Sequence, residues 1–375
     1  MIATLPDFRY GEWKQGRHGT HTMIRAATSS SLDYFGSMPH RLPDGRILRP
    51  RVTAGWYWAH ELDAAIRAGV CSIEDIYEVW SFIPDSTRRP YLDIKELYHT
   101  RLNVGKNSPA GRALKLMYNS AYGKMAQSVG TPKFSSALTA SLITSGTRTM
   151  ILDAIATHPG GPASVLMVAT DGIYFDSPHP TLPLSSTELG SWDVTEKTNL
   201  SIFMPGVYWD DRARERIRKG AGFSFKSRGI NAADLASEIS RIDSLWESIP
   251  DGRVELSQFP TVTLPIRFGM VTATEALVRG KWFTAGHVYS TEHGTGRERK
   301  LSANPCSKRY LAEKVNGVIK STAWPFPYKG DMWSTPYANC FGAESESSES
   351  PEVDALIDGE GLNYTADIAE LLYED

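Results

Sequence analysis

Apolar positions along this chain follow two periods, and the switch between them divides it into elements. Leu235, Ile239, Ile242 and Trp246 fall three or four apart, which predicts a helix over 231–248 with that stripe turned to the core. Residues 59–68 predict a helix closed by Gly69, residues 72–81 a second helix, and residues 138–157 a third. Ser164 to Ala169 is instead a β-rich run, Thr170-Asp171-Gly172 reads as a turn, and Ile173-Tyr174-Phe175 resumes strand character. Asp-Gly between apolar runs is a strong hairpin signal. Short strands follow to about 209, Arg212 to Lys219 reads as a charge-dense turn or ribbon, and residues 250–335 are rich in Trp, Pro and Gly. No internal repeat is evident, and the sum is an α+β chain.

Residues 109–123 carry the densest local signals. Ser108 is a natural N-cap, Pro109 suits the first helical position, and Gly123 suits the left-handed position that ends a helix. On that helix Arg112, Lys115, Asn119 and Tyr122 share one face at spacings of three, four and three, while Leu114, Tyr118, Ala121 and Met125 form a stripe that can pack inward. Arg112 and Lys115, one turn apart, repel each other unless an anion lies over them. The face suits a triphosphate, with an amide and an aromatic ring one turn further on. An ordinary solvated basic face would explain the cations but not the whole string Lys115-Leu-Met-Tyr-Asn-Ser-Ala-Tyr-Gly123. Its five specified residues would coincide about once in ten thousand chains of this size.

That string, K-x-x-x-N-S-x-Y-G, resembles motif B of the family B DNA polymerases, the fingers helix that grips the incoming nucleotide. The resemblance implies that Lys115 binds the triphosphate, that Asn119 and Tyr122 sit against the nascent base pair, and that Arg112 adds a phosphate contact. Downstream, Ala169-Thr170-Asp171-Gly172 resembles motif C, the palm hairpin D-T-D-S. Asp171 matches its second aspartate; Ala169 replaces the first and Gly172 the serine. Asp176, five residues on, alternates to the opposite strand face and reads as a solvated strand-end acid. Gly55 to Leu62 resembles the stretch before the fingers, and Ile143 to Arg148 the helix leading back to the palm. Pro205-Gly206-Val207-Tyr208 resembles the K-x-Y element at the primer terminus, with Tyr208 in place and Gly206 where the lysine is usual. Lys226-Ser227-Arg228-Gly229 resembles the basic step after it, and Lys308 and Arg309 are the expected duplex contacts of a thumb-like region.

The family also carries D-x-x-S-L-Y-P, motif A, and an exonuclease domain, and neither string is found here. Nucleotidyl transfer is an in-line displacement held by two divalent ions about 3.5–4 Å apart. The resemblance therefore implies Mg²⁺, with Asp171 as the one metal ligand and catalytic carboxylate in this chain and the second carboxylate supplied from outside it. The expected partners are primer-template DNA, dNTPs and a second polypeptide carrying motif A and the exonuclease. The rival reading is a catalytically inactive, polymerase-like DNA-binding or scaffold subunit, or a truncated gene product.

Composition changes this picture in one respect. Residues 343–375 hold 11 of the 43 acids and no Lys or Arg, so the remainder carries 32 acids against all 40 bases. The body is basic enough to approach a phosphate backbone, and the acidic tail reads as solvated, ending in a short amphipathic stretch with Ile368, Leu371 and Leu372 on one side. Cys71, Cys306 and Cys340 are scattered singly, and nine histidines show no ligand spacing. No run approaches the roughly eighteen apolar residues of a membrane span, so a cytoplasmic setting is expected, that of a host if the origin is viral. The expected organisation is a palm and pre-fingers segment at 1–98, a fingers helix at 99–130, a palm with its hairpin at 131–230, a thumb-like region at 231–342 and the tail at 343–375.

Overall fold

The computed structural model describes residues 5–32, 35–41, 47–85, 88, 90–127, 133–185, 187–204, 206–227, 230–254, 258–265, 268–270, 288–290, 298–302, 312–315 and 318–321. Helices and antiparallel sheets alternate in an α+β arrangement, and the chain divides into two compact units, the first running to Val194 and the second starting at Thr195. Among the described residues, no helix is long and apolar enough to cross a membrane.

The first unit is built on a four-stranded antiparallel sheet. Its strands are β1 (Gly11–Gln15), β2 (Thr22–Ser29), β5 (Val52–Trp58) and β6 (Ser72–Pro84), in the order β1-β6-β2-β5. A two-residue ladder of β3 (His40–Arg41) and β4 (Ile47–Leu48) lies in the connection between β2 and β5. The helix expected over 72–81 is strand β6 instead, and its pairing explains the misreading. Opposite β2, Glu78 faces Arg25 but Ile76 faces Ala26, and Asp75 faces Ala27 but Ile73 faces Thr28. Two bulges thus insert Tyr77 and Glu74, and each shifts the alternation by one residue. Ile73, Ile76, Tyr77 and Trp80 are left at a spacing that imitates a helix.

One face of the sheet is closed by α1 (Ala59–Arg67) and α4 (Ala137–Thr157), both close to the expected ranges. Ile24, Ala26 and Tyr57 of the sheet meet Leu62, Ala64 and Ala65 of α1 and Ile151, Leu152 and Ile155 of α4, all buried. The alanines let the helices approach closely. Helix α1 ends as expected: Gly69 takes a φ of 67°, and its N–H and that of Val70 return to the carbonyls of Ile66 and Ala65 at 2.9 and 3.1 Å.

Between α1 and α4 runs a polar seam. Arg148 on α4 donates from Nε and Nη2 to the two carboxylate oxygens of Glu61 at 2.5 and 2.8 Å, and the Glu61 side chain is only 2% exposed. Ser145 gives its own hydroxyl hydrogen to the Leu142 carbonyl, which leaves its oxygen to accept from His60 Nε2 at 2.9 Å. Trp58 Nε1 donates to Ser141 at 3.0 Å. Residues 141, 145 and 148 recur on one helix face, so the seam follows the helical period.

Helices α2 (Ile94–Val104) and α3 (Pro109–Ala126) form a hairpin. Ser108 caps α3 as expected, accepting from the Gly111 N–H at 3.0 Å. Gly123 does not end the helix: it is buried within it, and Gln127 is the C-cap. Gly111 is required by the α2–α3 turn, since a Cβ there would stand 2.0 Å from the Gly105 carbonyl oxygen. Arg101 of α2 ties the pair together through the Gly111 carbonyl at 3.2 Å and the Tyr118 hydroxyl at 3.3 Å. After α4, a 3-10 turn (Gly161–Ser164) leads into the hairpin of β7 (Val165–Ala169) and β8 (Gly172–Phe175). That hairpin is a two-stranded sheet of its own, resting Val165, Ile173 and Phe175 on the core under the main sheet.

The second unit has β9 (Ser201–Met204), β10 (Val207–Trp209) and β11 (Lys226–Ser227) in one sheet, with α5 (Asp211–Arg218) and α6 (Ala232–Ser248). Residues 212–219 are thus largely helical rather than a turn or ribbon. Asp210 caps α5 by accepting from the Ala213 N–H at 3.0 Å, and Ala213 and Ile217, one turn apart, face the core. Arg214 spans to Asp243 of α6 at 2.8 Å. The α6 stripe is as expected, with Leu235, Ile239 and Ile242 buried. Beyond it lie β12 (Gly252–Arg253), β13 (Thr261–Pro265), β14 (Phe268–Met270), β15 (Val288–Ser290), β16 (Glu298–Ser302), β17 (Ala312–Val315) and β18 (Val318–Ser321). They pair as β12-β17-β18, β13-β16 and β14-β15. From β17 the buried Lys314 ammonium donates to the carbonyls of Trp246 and Ile249, at 2.9 and 2.5 Å, where α6 ends.

The contacts between α1 and α4 generate three stability predictions. Glu61→Ala strands Arg148 and should cost about 3 kcal/mol, the low end for a buried pair because Arg148 can reach water. Arg67→Ala, which removes an exposed pair with Asp153, should cost less than about 1 kcal/mol; urea unfolding of the two variants checks the contrast. Burial holds the His60 imidazole below its ordinary value of 6.5. The unfolded chain therefore takes up a proton there before the folded one does, so this contribution to stability is complete above 6.5 and drains as pH falls toward the folded value. His60→Gln should flatten the acid limb of the stability profile.

Candidate nucleotide and nucleic-acid site

Helix α3 sets the geometry of the candidate site. Its Ser108 cap and Pro109 start fix the helical phase, which places Arg112, Lys115, Asn119 and Tyr122 along one side. Arg112 and Asn119 are exposed, while Lys115 and Tyr122 are half-buried. The stripe expected to pack inward does so in part: Met125 is buried and Leu114, Tyr118 and Ala121 are half-buried. The first turn of α3 itself contains no acid, and the positive end of its dipole lies next to Arg112. A half-buried lysine beside an exposed arginine can grip a phosphate chain, and a half-buried tyrosine ring can offer one face to a base.

Asp171 stands on the β7–β8 hairpin, in the same unit as α3. Ala169 pairs with Gly172, so the two-residue tip is Thr170-Asp171, one position earlier than the Asp-Gly pair suggested. Gly172 is the first residue of β8, and a Cβ there would meet the Ala169 carbonyl oxygen at an ordinary 3.4 Å. A serine would therefore fit where this chain has glycine. Thr170 holds a φ of 50°, a left-handed conformation costly for a β-branched residue, and it presents the neighbouring Asp171 to solvent. Asp176 is exposed at the strand end, with the Ser177 hydroxyl donating to its carboxylate at 2.9 Å.

The remaining site residues are distributed differently. Tyr208 and Lys226 belong to the second unit, where they are direct cross-strand neighbours on β10 and β11. Tyr208 is 9% exposed and Lys226 is exposed. Arg228, Lys308 and Arg309, like the acidic tail, lie outside the described residues. Among the described residues no group of three or more His, Cys, Asp or Glu side chains could hold a metal ion. Asp171 is thus one donor rather than a metal centre, and a two-ion site does not fit the described residues of this chain by themselves.

Sequence reasoning overlooked the link between two segments it had singled out separately. Residues 55–62 and 143–148 meet at the Glu61–Arg148 pair between α1 and α4. The signal was present: an arginine inside an otherwise apolar helix requires an acidic partner. No family model, curated protein or solved structure matches this chain.

The tip conformation yields a test of its own. Asn tolerates the left-handed region better than Thr, so Thr170→Asn should raise stability by about 1 kcal/mol. A shift of the urea midpoint to higher concentration is the expected result.

Proposed function

We propose that this chain binds a deoxynucleoside triphosphate and primer-template DNA as one part of a polymerase resembling family B, and takes part in template-directed transfer of a nucleotide to a primer 3′ end. The observation that carries this reading is the capped α3 helix, which aligns Arg112, Lys115, Asn119 and Tyr122 within the unit that also holds the Asp171 hairpin. In this reading Lys115 binds the triphosphate, with Arg112 beside it. Asn119 and Tyr122 form the platform for the nascent pair, a ring face being tolerant of all four bases. Tyr208, Lys226 and Arg228 would meet the primer side, and Lys308 and Arg309 the duplex. The finer assignment of the first unit's sheet and hairpin as a palm, α2–α3 as fingers and the second unit as a thumb-like region belongs to the same proposal.

Mg²⁺ is the ion this chemistry uses, where it supplies charge stabilisation to the transferring phosphoryl group. Asp171 would give it one ligand, and a second polypeptide with motif A would give the other. The isolated chain should therefore bind without turning over. The inactive-subunit reading is favoured by Ala169, which stands where a first carboxylate would be needed.

Lys115→Ala should weaken binding of a fluorescent dATP analogue about tenfold or more while far-ultraviolet circular dichroism stays unchanged. Unaltered nucleotide affinity would remove the α3 assignment. In a complex reconstituted with a motif A polypeptide, Asp171→Asn should abolish primer extension. Extension that survives this change, or never occurs with the unsubstituted chain, leaves the inactive subunit as the reading.

A further inference from the structure

The joint between α4 and the β7–β8 hairpin holds a buried imidazole that the proposed function does not use. His158, the C-cap of α4, is 5% exposed, and Ser164 beside it is 2% exposed. Gly160, itself exposed, donates its N–H to His158 Nδ1 at 3.0 Å, and His158 Nε2 donates to the Ser177 carbonyl at 3.2 Å. The ring stacks on Phe175, the last residue of β8, at a centroid distance of 4.4 Å. His179 meets these two rings edge-on, at 5.2 and 5.6 Å. Its Nδ1 accepts from the Thr181 N–H at 3.2 Å, and its Nε2 donates to the Ala154 carbonyl at 2.9 Å.

Ser164 lets the His158 ring exist in two forms. Its hydroxyl is 2.9 Å from His158 Nδ1 and 2.7 Å from the Gly161 carbonyl, two acceptors for one hydrogen. With the ring neutral, that hydrogen can serve only one of them. With a proton on Nδ1, the ring donates to Ser164, Ser164 donates to Gly161, and Nε2 still donates to Ser177. The charge then lies over the Phe175 face and at the negative end of the α4 dipole. Only the Gly160 N–H loses its acceptor, so each form leaves one hydrogen bond unmade. His179 has no such adaptor, because a proton on its Nδ1 would oppose the Thr181 N–H donor.

We propose that His158, Ser164 and His179 form a pH-operated joint: the two histidines take up a single proton from solvent, on His158, and this releases the Gly160 amide and loosens the turn between α4 and β7. A second proton is opposed by the first, whose ring is 5.2 Å away. The other titratable and charged groups on the surrounding elements are Tyr174, Asp176, which accepts from the Ser177 hydroxyl, and Asp153 of α4, paired with Arg67 of α1 at 2.7 Å. Gly160 packs so closely that a Cβ there would stand 2.8 Å from the Ser164 Cβ, which couples the turn to the hydroxyl. The inference does not rest on the proposed function; where that reading holds, this joint carries the Asp171 hairpin.

The joint is tested by nuclear magnetic resonance on the full chain, isotopically labelled in nitrogen, between about pH 8 and about pH 5. Both ring nitrogens of His158 should become protonated while His179 Nδ1 stays bare. The exchange rate of the Gly160 amide, corrected for its intrinsic pH dependence, should rise about tenfold over the same range. In Ser164→Ala the imidazolium loses its acceptor, so the midpoint of the His158 titration should fall by about one pH unit, a tenfold loss of proton affinity. Protonation of His179 first, of both rings or of neither, or a Gly160 exchange rate that does not follow His158, would overturn the proposal. So would a Ser164→Ala midpoint equal to that of the unsubstituted chain. If that variant fails to fold, titration and exchange in the unsubstituted chain still decide the matter.

Discussion

The ion pair between Glu61 and Arg148 holds the first unit together across 87 positions of chain. Taking two charges out of water is expensive, and only the two-point match of a guanidinium with a carboxylate makes this tolerable. The pair lies between α1 and α4, which also bury Leu62, Ile151 and Leu152 against the sheet. The stretch between the paired residues, which includes β6, α2 and α3, then begins and ends at one fixed point. The α2–α3 hairpin, which buries few residues fully, lies within this stretch. In the proposed function, the α3 face carries the nucleotide contacts.

Much of this was legible in the residues. Ser108-Pro109 announced α3, Gly69 closed α1, the 231–248 stripe turned inward, and the apolar-turn-apolar pattern around Asp171 became a hairpin. The failures have physical causes. The bulges at Tyr77 and Glu74 gave a strand the apolar spacing of a helix. Gly123 resembled a helix terminator, yet a buried glycine is also tolerated inside a helix. The dense charge of α5 hid a helix because its cap, Asp210, lies just outside the charged run and its long-range partner, Asp243, lies a helix away.

The candidate site was legible in a different sense. Spacing alone placed four side chains of α3 on one face, because helical geometry is local. The relation between that helix and the rest of the unit was not accessible to spacing. It depends on contacts between segments far apart in sequence, which spacing cannot show; the Glu61–Arg148 pair within the same unit is one such contact.

Lys314 carries a consequence for how the second unit comes into being. Its ammonium lies over the last carbonyls of α6, 65 residues earlier in the chain than the lysine itself. A ribosome that has completed α6 therefore releases a helix whose terminal carbonyls lack this donor, and the end frays until β17 emerges. Products ending before β17 would keep the apolar stripe of α6 without its lock, and in a cell they would be the species met first by chaperones and proteases.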